Sequence, residues 1–201
     1  MYKVIGTPQS RALRVIWVLE ELGEDYTLDP AFPQTDIVRA NNSTGKIPVL
    51  IDGDDILTDS IAICTYLADK HGNLTFPAGS IERARQDSFT QFAVDELEGA
   101  LWTAAKNTFV HPEDIRVPAV KNVCKIEFAK ALKTLEERLG NKPYVMGNTF
   151  TIADIIIGHC SGWATSAKFD LPETGTIADY FQRLRERPAY QSLLEKMKTP
   201  S

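Results

Sequence analysis

The pattern of apolar residues changes near residue 75, and this change constrains the fold more than any other feature of the chain. Before it, short strand-like runs such as YKVI alternate with helical runs such as SRALRVIWVLEELG, whose apolar residues recur at the spacing of one helix face. After it, apolar residues recur only at helical spacing. The sequence therefore predicts a small α/β domain followed by an all-helical domain.

The first domain is predicted to have the element order β-α-β-α-β-β-α. Its strands are expected at residues 2–5, 25–29, 47–51 and 55–57, and the turn DGDD joins the last two as a tight hairpin. Its helices are expected within residues 10–23 and at about 35–40 and 60–70, with Gly23 and Gly72 at the ends of the longer two.

A linker is predicted where Pro77 and Gly79 interrupt the pattern. Beyond it, helical periodicities cover residues 81–108, 117–139, 151–167, 177–186 and 188–197. We therefore expect a first domain at residues 1–75, a linker at 76–82 and an all-helical domain at 83–201.

Composition excludes several classes of protein. With 43% hydrophobic and 24% charged residues, the 201-residue chain is typical of a globular protein, and a net charge of −5 argues against a nucleic-acid partner. No run is long enough to span a membrane, and MYKVIGTPQSR lacks the apolar core of a signal peptide. Three widely separated cysteines favour the reducing cytoplasm and no metal site.

Four segments, taken in this order and at these separations, resemble the cytosolic-type glutathione transferase family: SRALRVIWVLEELG, GKIPVL, TDSIAICTYLADK and FTIADIIIG. The resemblance covers essentially the whole chain. It implies a thioredoxin-like N-terminal domain, an all-α C-terminal domain and usually a homodimer. It also implies glutathione as the co-substrate and a bacterial-like, serine-type site rather than a cysteine- or tyrosine-type site.

Pro48 interrupts the third predicted strand. From the residues alone, it could simply begin an edge strand. The resemblance implies instead a cis bond between Ile47 and Pro48, which turns the Ile47 backbone outward to pair with the cysteinyl part of glutathione like an added strand. Lys46 would then reach the glycine carboxylate of glutathione, although a solvated charge explains an exposed lysine equally well.

Asp59 and Ser60 begin the third predicted helix. The unpaired N–H groups and positive dipole end of a helix N-terminus suit a carboxylate. The resemblance implies that Ser60 binds the γ-glutamyl carboxylate of glutathione and that Asp59 faces its ammonium group. Either residue could also serve only as the helix N-cap. The family more often has Glu or Gln at the position of Asp59, so the shorter side chain reaches less far.

Ser10 directly precedes the first helical run and matches the serine of the serine-type classes. The resemblance implies that its hydroxyl donates a hydrogen bond to the glutathione thiolate, which is the nucleophile. Thr7 is the alternative, since it falls where the tyrosine-type classes carry their tyrosine. Ser10 could also be only the N-cap of the helix.

No cysteine stands at the head of the first helix, which disfavours disulfide exchange; Cys64, Cys124 and Cys160 fit buried helix positions. The site for the electrophile would be lined by the helical domain, with Trp102, Phe109 and Trp163 as candidates that core packing explains equally well. Thr151 and Asp154 are predicted to form a structural capping box.

The resemblance implies an enzyme that conjugates the glutathione thiol to small hydrophobic electrophiles, with reduction of organic hydroperoxides as a second activity. The alternative is a non-catalytic protein of the same fold that binds glutathione or a partner protein. A third interpretation, a disulfide reductase, requires a reactive cysteine such as Cys64.

Overall fold

The computed structural model describes residues 1–198 and divides into two compact units. The first unit joins residues 1–78 to the chain from Arg185 onward, and the second spans Gly79–Leu184. The sequence assigned residues 83–201 to one helical domain. In the structure, the helix Pro188–Lys198 packs instead on the helix Ala12–Leu22 of the first unit.

A four-stranded sheet forms the centre of the first unit, in the order β2-β1-β3-β4. The strands are β1 (Tyr2–Ile5), β2 (Tyr26–Asp29), β3 (Val49–Asp52) and β4 (Asp55–Thr58). The helices between and after them are α1 (Ala12–Leu22), α2 (Asp36–Asn41) and α3 (Ser60–His71). β1 pairs with β2 in parallel, and the other two pairings are antiparallel. The predicted order β-α-β-α-β-β-α is confirmed.

Helices cover both faces of this sheet because its central strands are apolar on both sides. Ile5 and Val49 pack against Val38 of α2. Val4 and Leu50 are paired across β1 and β3, are fully buried, and face the opposite side, since neighbouring side chains of a strand alternate. The most buried helix of the unit, α1, packs on β1 and against α3.

The second unit is helical. Its helices are α4 (Ile81–Phe92), α5 (Gly99–Ala105), α6 (Val120–Leu139), α7 (Ile152–Ser166) and α8 (Thr176–Arg185), which ends at the unit boundary. Two π-helical segments, Ala93–Glu98 and Lys106–Val110, continue α4 and α5. The helix predicted at 81–108 is therefore a continuous helical segment in which α-helix and π-helix alternate. The predicted α/β thioredoxin-like plus all-α fold class is confirmed.

The last helix, α9 (Pro188–Lys198), lies on α1 of the first unit. The ring of Tyr190 packs against that of Trp17, with 4.5 Å between centroids. Beside this contact, the Arg187 guanidinium donates to both carboxylate oxygens of Glu21 at 2.6 Å, and the Glu21 side chain is only 7% exposed. A bidentate pair of this kind fixes orientation as well as contributing energy. Among residues 1–198, no helix is long and apolar enough to cross a bilayer.

The start of α7 is held by a buried carboxylate. Thr151 and Asp154 form the predicted capping box. The Asp154 carboxylate accepts hydrogen bonds from the N–H groups of Val145 and Thr151, at 3.0 and 2.9 Å, and from the Tyr180 hydroxyl at 2.8 Å. Burial raises the pKa of Asp154, and these donors oppose that rise by stabilising the charged form. One side chain thus joins the loop before α7 to α7 and α8.

Replacing Asp154 should destabilise the protein far more than replacing an ordinary helix cap. Asp154→Ala leaves several buried donors without a partner, so we expect a loss of about 3–5 kcal/mol in the free energy of unfolding. Ser80→Ala is the matched control, since Ser80 caps α4 by accepting from the Arg83 N–H, and we expect a loss of about 1 kcal/mol. Urea unfolding measures both, and equal losses would contradict the special role of Asp154.

The contact between α9 and α1 should weaken in acid through Glu20. Burial raises the pKa of Glu20, but hydrogen bonds from Lys196, Tyr26 and Ser192 outweigh it and hold the pKa below its ordinary 4.5. A lowered acid pKa contributes stability that is present above the unfolded pKa and is lost as pH falls through the folded one. We expect wild type to exceed Glu20→Gln by about 1–2 kcal/mol in unfolding free energy at pH 7.

This difference should shrink below about pH 4.5, the ordinary pKa of the group, when urea unfolding is repeated across pH. Asp25→Asn is the control, because Asp25 is an exposed carboxylate of the same unit. A gap between wild type and Glu20→Gln that stays constant down to acid pH would show that the Glu20 charge does not stabilise the α9 contact.

Candidate functional site

The end of β1, the start of α1 and the segment before β3 meet at Gly6. Gly6 has a φ of +150°, and a Cβ atom there would lie 2.9 Å from the Cβ of Ala12 and 3.4 Å from the Cβ of Ile47. A side chain at this position would therefore clash with Ala12 and press on Ile47. The close approach is possible because glycine has no Cβ, and it brings the turn before α1 beside Ile47.

Ser10 lies in the turn before α1 and is half-buried. Its hydroxyl donates to the Thr7 carbonyl at 2.7 Å and accepts from the Ala12 N–H at 3.1 Å. The Ser10 N–H donates to the same carbonyl at 3.0 Å. Ser10 thus acts as a local cap two residues before Ala12, the first residue of α1. Its hydroxyl hydrogen points to the Thr7 carbonyl oxygen. The Thr7 hydroxyl is half-buried and has no hydrogen-bond partner within residues 1–198.

The Ile47–Pro48 peptide bond is cis. Pro48 is buried and Ile47 is half-buried. Within the part of the chain that the structure describes, neither the N–H nor the C=O of Ile47 makes a hydrogen bond. A backbone edge of this kind can pair with an extended peptide. The Lys46 side chain is exposed and forms no ion pair among these residues.

Asp59 and Ser60 stand at the N-terminus of α3. The Asp59 carboxylate caps the helix by accepting from the N–H groups of Ile61 and Ala62 at 2.9 and 3.1 Å. Asp59 adopts a φ of +72° and a ψ of 122°, a conformation that costs a residue with a Cβ about 1–3 kcal/mol. Asp59 is exposed and Ser60 is buried. The predicted capping role is confirmed for Asp59, and Ser60 is the first residue of the helix.

Arg14 is a member of this site that was not among the residues predicted to bind glutathione, because an arginine near the start of a helix is commonly exposed. It lies on α1 with 1% of its surface exposed, and its Nη1 donates to the Ser60 hydroxyl at 3.2 Å. This contact joins α1 to the N-terminus of α3 inside the first unit. A signal was present, because Arg14 precedes the apolar Trp17 and Val18 by three and four residues and therefore shares their buried face.

The cysteines are buried. All three are reduced cysteines, and burial raises the pKa of the Cys64 thiol to about 12. A thiol held protonated in this way is a poor nucleophile. No group of three or more His, Cys, Asp or Glu side chains among residues 1–198 is arranged to hold a metal ion.

Two of the three aromatic candidates for the electrophile wall are neighbours in the second unit. The indole rings of Trp102 and Trp163 lie 6.3 Å apart between centroids, edge to face, and both residues are half-buried. The His159 ring lies 6.0 Å from that of Trp163. Phe109, on the π-helical segment after α5, is 66% exposed. The three residues stay predictions for this role.

Two family models match the chain. The first, described as "Glutathione S-transferase, N-terminal domain", matches residues 5–75. The second, described as "Glutathione S-transferase, C-terminal domain", matches residues 101–188. The first match contains the turn before α1, the Ile47–Pro48 bond and the N-terminus of α3.

Similar proteins carry the same family name. Glutathione S-transferase 3 of Zea mays is 30% identical over 217 residues, which cover 98% of this chain and 95% of the relative. Glutathione S-transferase GstA of Escherichia coli O157:H7 is 29% identical over 201 residues, covering 96% of each chain. A solved glutathione transferase from Methylococcus capsulatus str. Bath superposes with a TM-score of 0.86 at 26% identity, covering 98% of this chain and 99% of that one.

These similarities extend over both units of the structure. They agree with the α/β unit and the helical unit that follows. The relatives match the chain over nearly their full length. The chain therefore belongs to the glutathione S-transferase family and is a glutathione-dependent transferase.

Proposed function

We propose that this enzyme activates the glutathione thiol through the Ser10 hydroxyl and conjugates the thiolate to small hydrophobic electrophiles. The observation that carries the proposal is the meeting of three segments within the first unit. Gly6 brings the Ser10 turn beside Ile47, and Arg14 joins α1 to Ser60 at the start of α3. Together these segments offer a hydroxyl, a free backbone edge and a helix N-terminus.

Each segment suits a different part of glutathione. The free N–H and C=O of Ile47 suit the cysteinyl backbone, which would pair like an added strand. The N-terminus of α3 and the Ser60 hydroxyl suit the γ-glutamyl carboxylate, and the buried positive charge of Arg14 behind Ser60 favours an anion there. The Asp59 carboxylate is exposed and can face the ammonium group. Lys46 is free to reach the glycine carboxylate.

Ser10 can donate to a thiolate only by turning its hydroxyl proton away from the Thr7 carbonyl. The exchange is favourable, because a hydrogen bond to a charged group contributes about 1.5–3 kcal/mol and one between neutral groups about 0.5–1.5. The Thr7 carbonyl keeps a partner, since the Ser10 N–H also donates to it. The Ala12 N–H continues to donate to the Ser10 oxygen and polarises the hydroxyl.

The resulting stabilisation is large enough for the chemistry. A decrease of two in the thiol pKa corresponds to about 2.7 kcal/mol. The net gain from the hydrogen-bond exchange at Ser10, about 1–1.5 kcal/mol, and the dipole of α1, about 0.3–1 kcal/mol, together correspond to a decrease of about one to two in the thiol pKa. The thiol proton leaves to solvent, and the sulfur then forms a bond to the electrophilic carbon. Either a leaving group departs from that carbon with the electron pair of the broken bond, or a π bond to that carbon opens and its electron pair takes up a proton from solvent. We also propose reduction of organic hydroperoxides to alcohols, with two glutathione molecules oxidised to their disulfide and water released.

Thr7 remains the competing donor, because its hydroxyl is not engaged within residues 1–198. A disulfide reductase that works through Cys64 is disfavoured by the burial and high pKa of that thiol. The non-catalytic alternative is disfavoured by the enzyme family to which the chain belongs. Trp102, Phe109 and Trp163 remain our candidates for the electrophile wall, and Phe109 has the most exposed surface for it.

We further propose a homodimer in the cytoplasm. The homodimer follows from the family resemblance of the whole chain. The cytoplasmic location is supported by three buried, reduced cysteines, which suit a reducing compartment.

Removing the Ser10 hydroxyl should weaken thiol activation while leaving glutathione binding nearly intact. In Ser10→Ala we expect the pKa of the bound thiol to rise by about one to two, and kcat/KM to fall about 10- to 100-fold. The ultraviolet absorbance of thiolate, followed across pH on mixing with glutathione, measures the first quantity, and conjugation of a chromogenic electrophile measures the second.

Thr7→Val is the matched control, because it removes the competing hydroxyl at similar side-chain volume. We expect it to change thiolate formation by less than about threefold, since the thiolate then keeps the Ser10 hydrogen bond. The reverse result, with Thr7→Val impaired and Ser10→Ala active, would assign the donor to Thr7. Binding of glutathione to wild type with no thiolate signal would overturn the activation proposal.

Asp59→Asn separates the capping role of Asp59 from its proposed contact with glutathione. Asn caps a helix about as well as Asp, so we expect little change in the free energy of unfolding. The negative charge facing the ammonium group is lost, so we expect the KM for glutathione to rise about three- to tenfold with kcat unchanged. Steady-state kinetics with varied glutathione and urea unfolding give the two readouts. An unchanged KM would leave Asp59 with the capping role alone.

A further inference from the structure

The segment that leads into the Ile47–Pro48 bond is pinned at three successive backbone carbonyls. The Thr44 carbonyl accepts from the Gln34 side-chain amide at 3.2 Å, and the Gly45 carbonyl accepts from the Gln34 N–H at 2.8 Å. The Lys46 carbonyl accepts from the Asn42 side-chain amide at 2.8 Å. The next residue is Ile47, whose own backbone groups are free. We refer to Gln34 and Asn42 as the carbonyl clamp.

Gln34 contacts the segment closely as well as bonding to it. A Cβ atom on Gly45 would lie 2.3 Å from the Oε1 and 2.6 Å from the Cδ of Gln34. The side-chain amide therefore lies against the bare Cα of Gly45, which is buried beneath it. Gly45 also has a φ of +66°, so both its conformation and its contact with Gln34 require glycine.

The clamp residues lie on the two sides of α2. Gln34 precedes the helix and Asn42 follows it. Asn42 also accepts from the N–H and hydroxyl of Thr44 at 3.1 and 2.8 Å, so its amide is fixed in orientation. Gln34 adopts a φ of +72°, which is uncommon for a residue with a side chain. The backbone of residues 42–46 is thus held from both ends of one short helix.

We propose that Gln34 and Asn42 are positioning residues that order the Lys46–Ile47 backbone for glutathione before it binds. This inference rests on the proposed pairing of Ile47 with the cysteinyl part of glutathione. A segment already held in the bound conformation loses less conformational entropy when the ligand arrives. The clamp therefore acts on glutathione affinity, and it does not act on the bond-forming step at Ser10.

Two nearly isosteric variants test the donor atoms of the clamp. Gln34→Glu and Asn42→Asp keep the shape and the acceptor oxygens but lose the amide N–H groups that reach Thr44 and Lys46. We expect each to raise the Kd for glutathione, measured by calorimetry on the full chain, about three- to tenfold, as loss of one hydrogen bond allows. The KM for glutathione should rise equally, while kcat at saturating glutathione and the KM for the electrophile stay within about twofold of wild type.

Gln34→Asn is a further variant, because asparagine tolerates a positive φ but its shorter side chain cannot reach the Thr44 carbonyl. Gln34→Asn should weaken glutathione binding as much as Gln34→Glu does. That result would exclude backbone strain at residue 34 as the cause of the weaker binding. Thr35→Ala is the matched control, since Thr35 is exposed beside Gln34 and its hydroxyl bonds to the Phe32 carbonyl rather than to the clamped segment. It should bind glutathione as wild type does.

Amide hydrogen exchange gives a second readout without turnover. In the free clamp variants the amide of Gly45, which donates to the Asn42 carbonyl at 2.8 Å, should exchange faster than in wild type, and saturating glutathione should restore its protection. Unchanged Kd values in Gln34→Glu and Asn42→Asp would overturn the proposal, and so would a parallel loss of kcat and of unfolding free energy. Failure of the Ser10 proposal is distinguishable, because thiolate formation would then be absent in wild type or unchanged in Ser10→Ala. The calorimetric Kd differences of the clamp variants would remain in place.

Discussion

The close approach at Gly6 is the constraint on which the rest of the candidate site depends. With no side chain there, the end of β1 can run directly against Ala12 and Ile47. Ser10 follows β1 and Ile47 precedes β3, two strands that pair directly, and the missing side chain at Gly6 lets the segments that flank them approach closely. A larger residue would have to push α1 or the segment before β3 away. The geometry of the proposed site is therefore set by packing at a position to which no chemical role is assigned.

The buried Arg14 couples the N-terminus of α3 to α1. Burying a guanidinium is costly unless it is hydrogen-bonded, and Arg14 donates to Ser60 from the interior of the unit. The Ser60 hydroxyl is thereby fixed, and it can still donate its own proton to a ligand carboxylate. The strained backbone of Asp59, next to it, is held by its two bonds to helix N–H groups. The start of α3 is thus oriented before any ligand arrives.

Most of the fold could be predicted from the sequence, because its signals are local. Apolar periodicity, the turn DGDD and the capping box of Thr151 gave the element order and nearly all helix bounds. The π-helical turns after α4 and α5 could not be predicted, since they change the hydrogen-bond register without changing the apolar pattern. The docking of α9 on α1 was missed because Tyr190 and Trp17 are far apart in sequence, and only tertiary packing pairs them.

The helix N-termini of the candidate site were predicted from the sequence, and the buried charge of Arg14 was not. Net charge of −5 would repel an anionic tripeptide, yet charges beyond about 8 Å are largely screened at physiological salt. What an anion meets at this site is local: the positive dipole ends of α1 and α3, and the buried charge of Arg14. These contributions depend on which way helix ends and one side chain point, which no residue count reveals. Local orientation, rather than net charge, therefore makes this acidic chain suited to an anionic co-substrate.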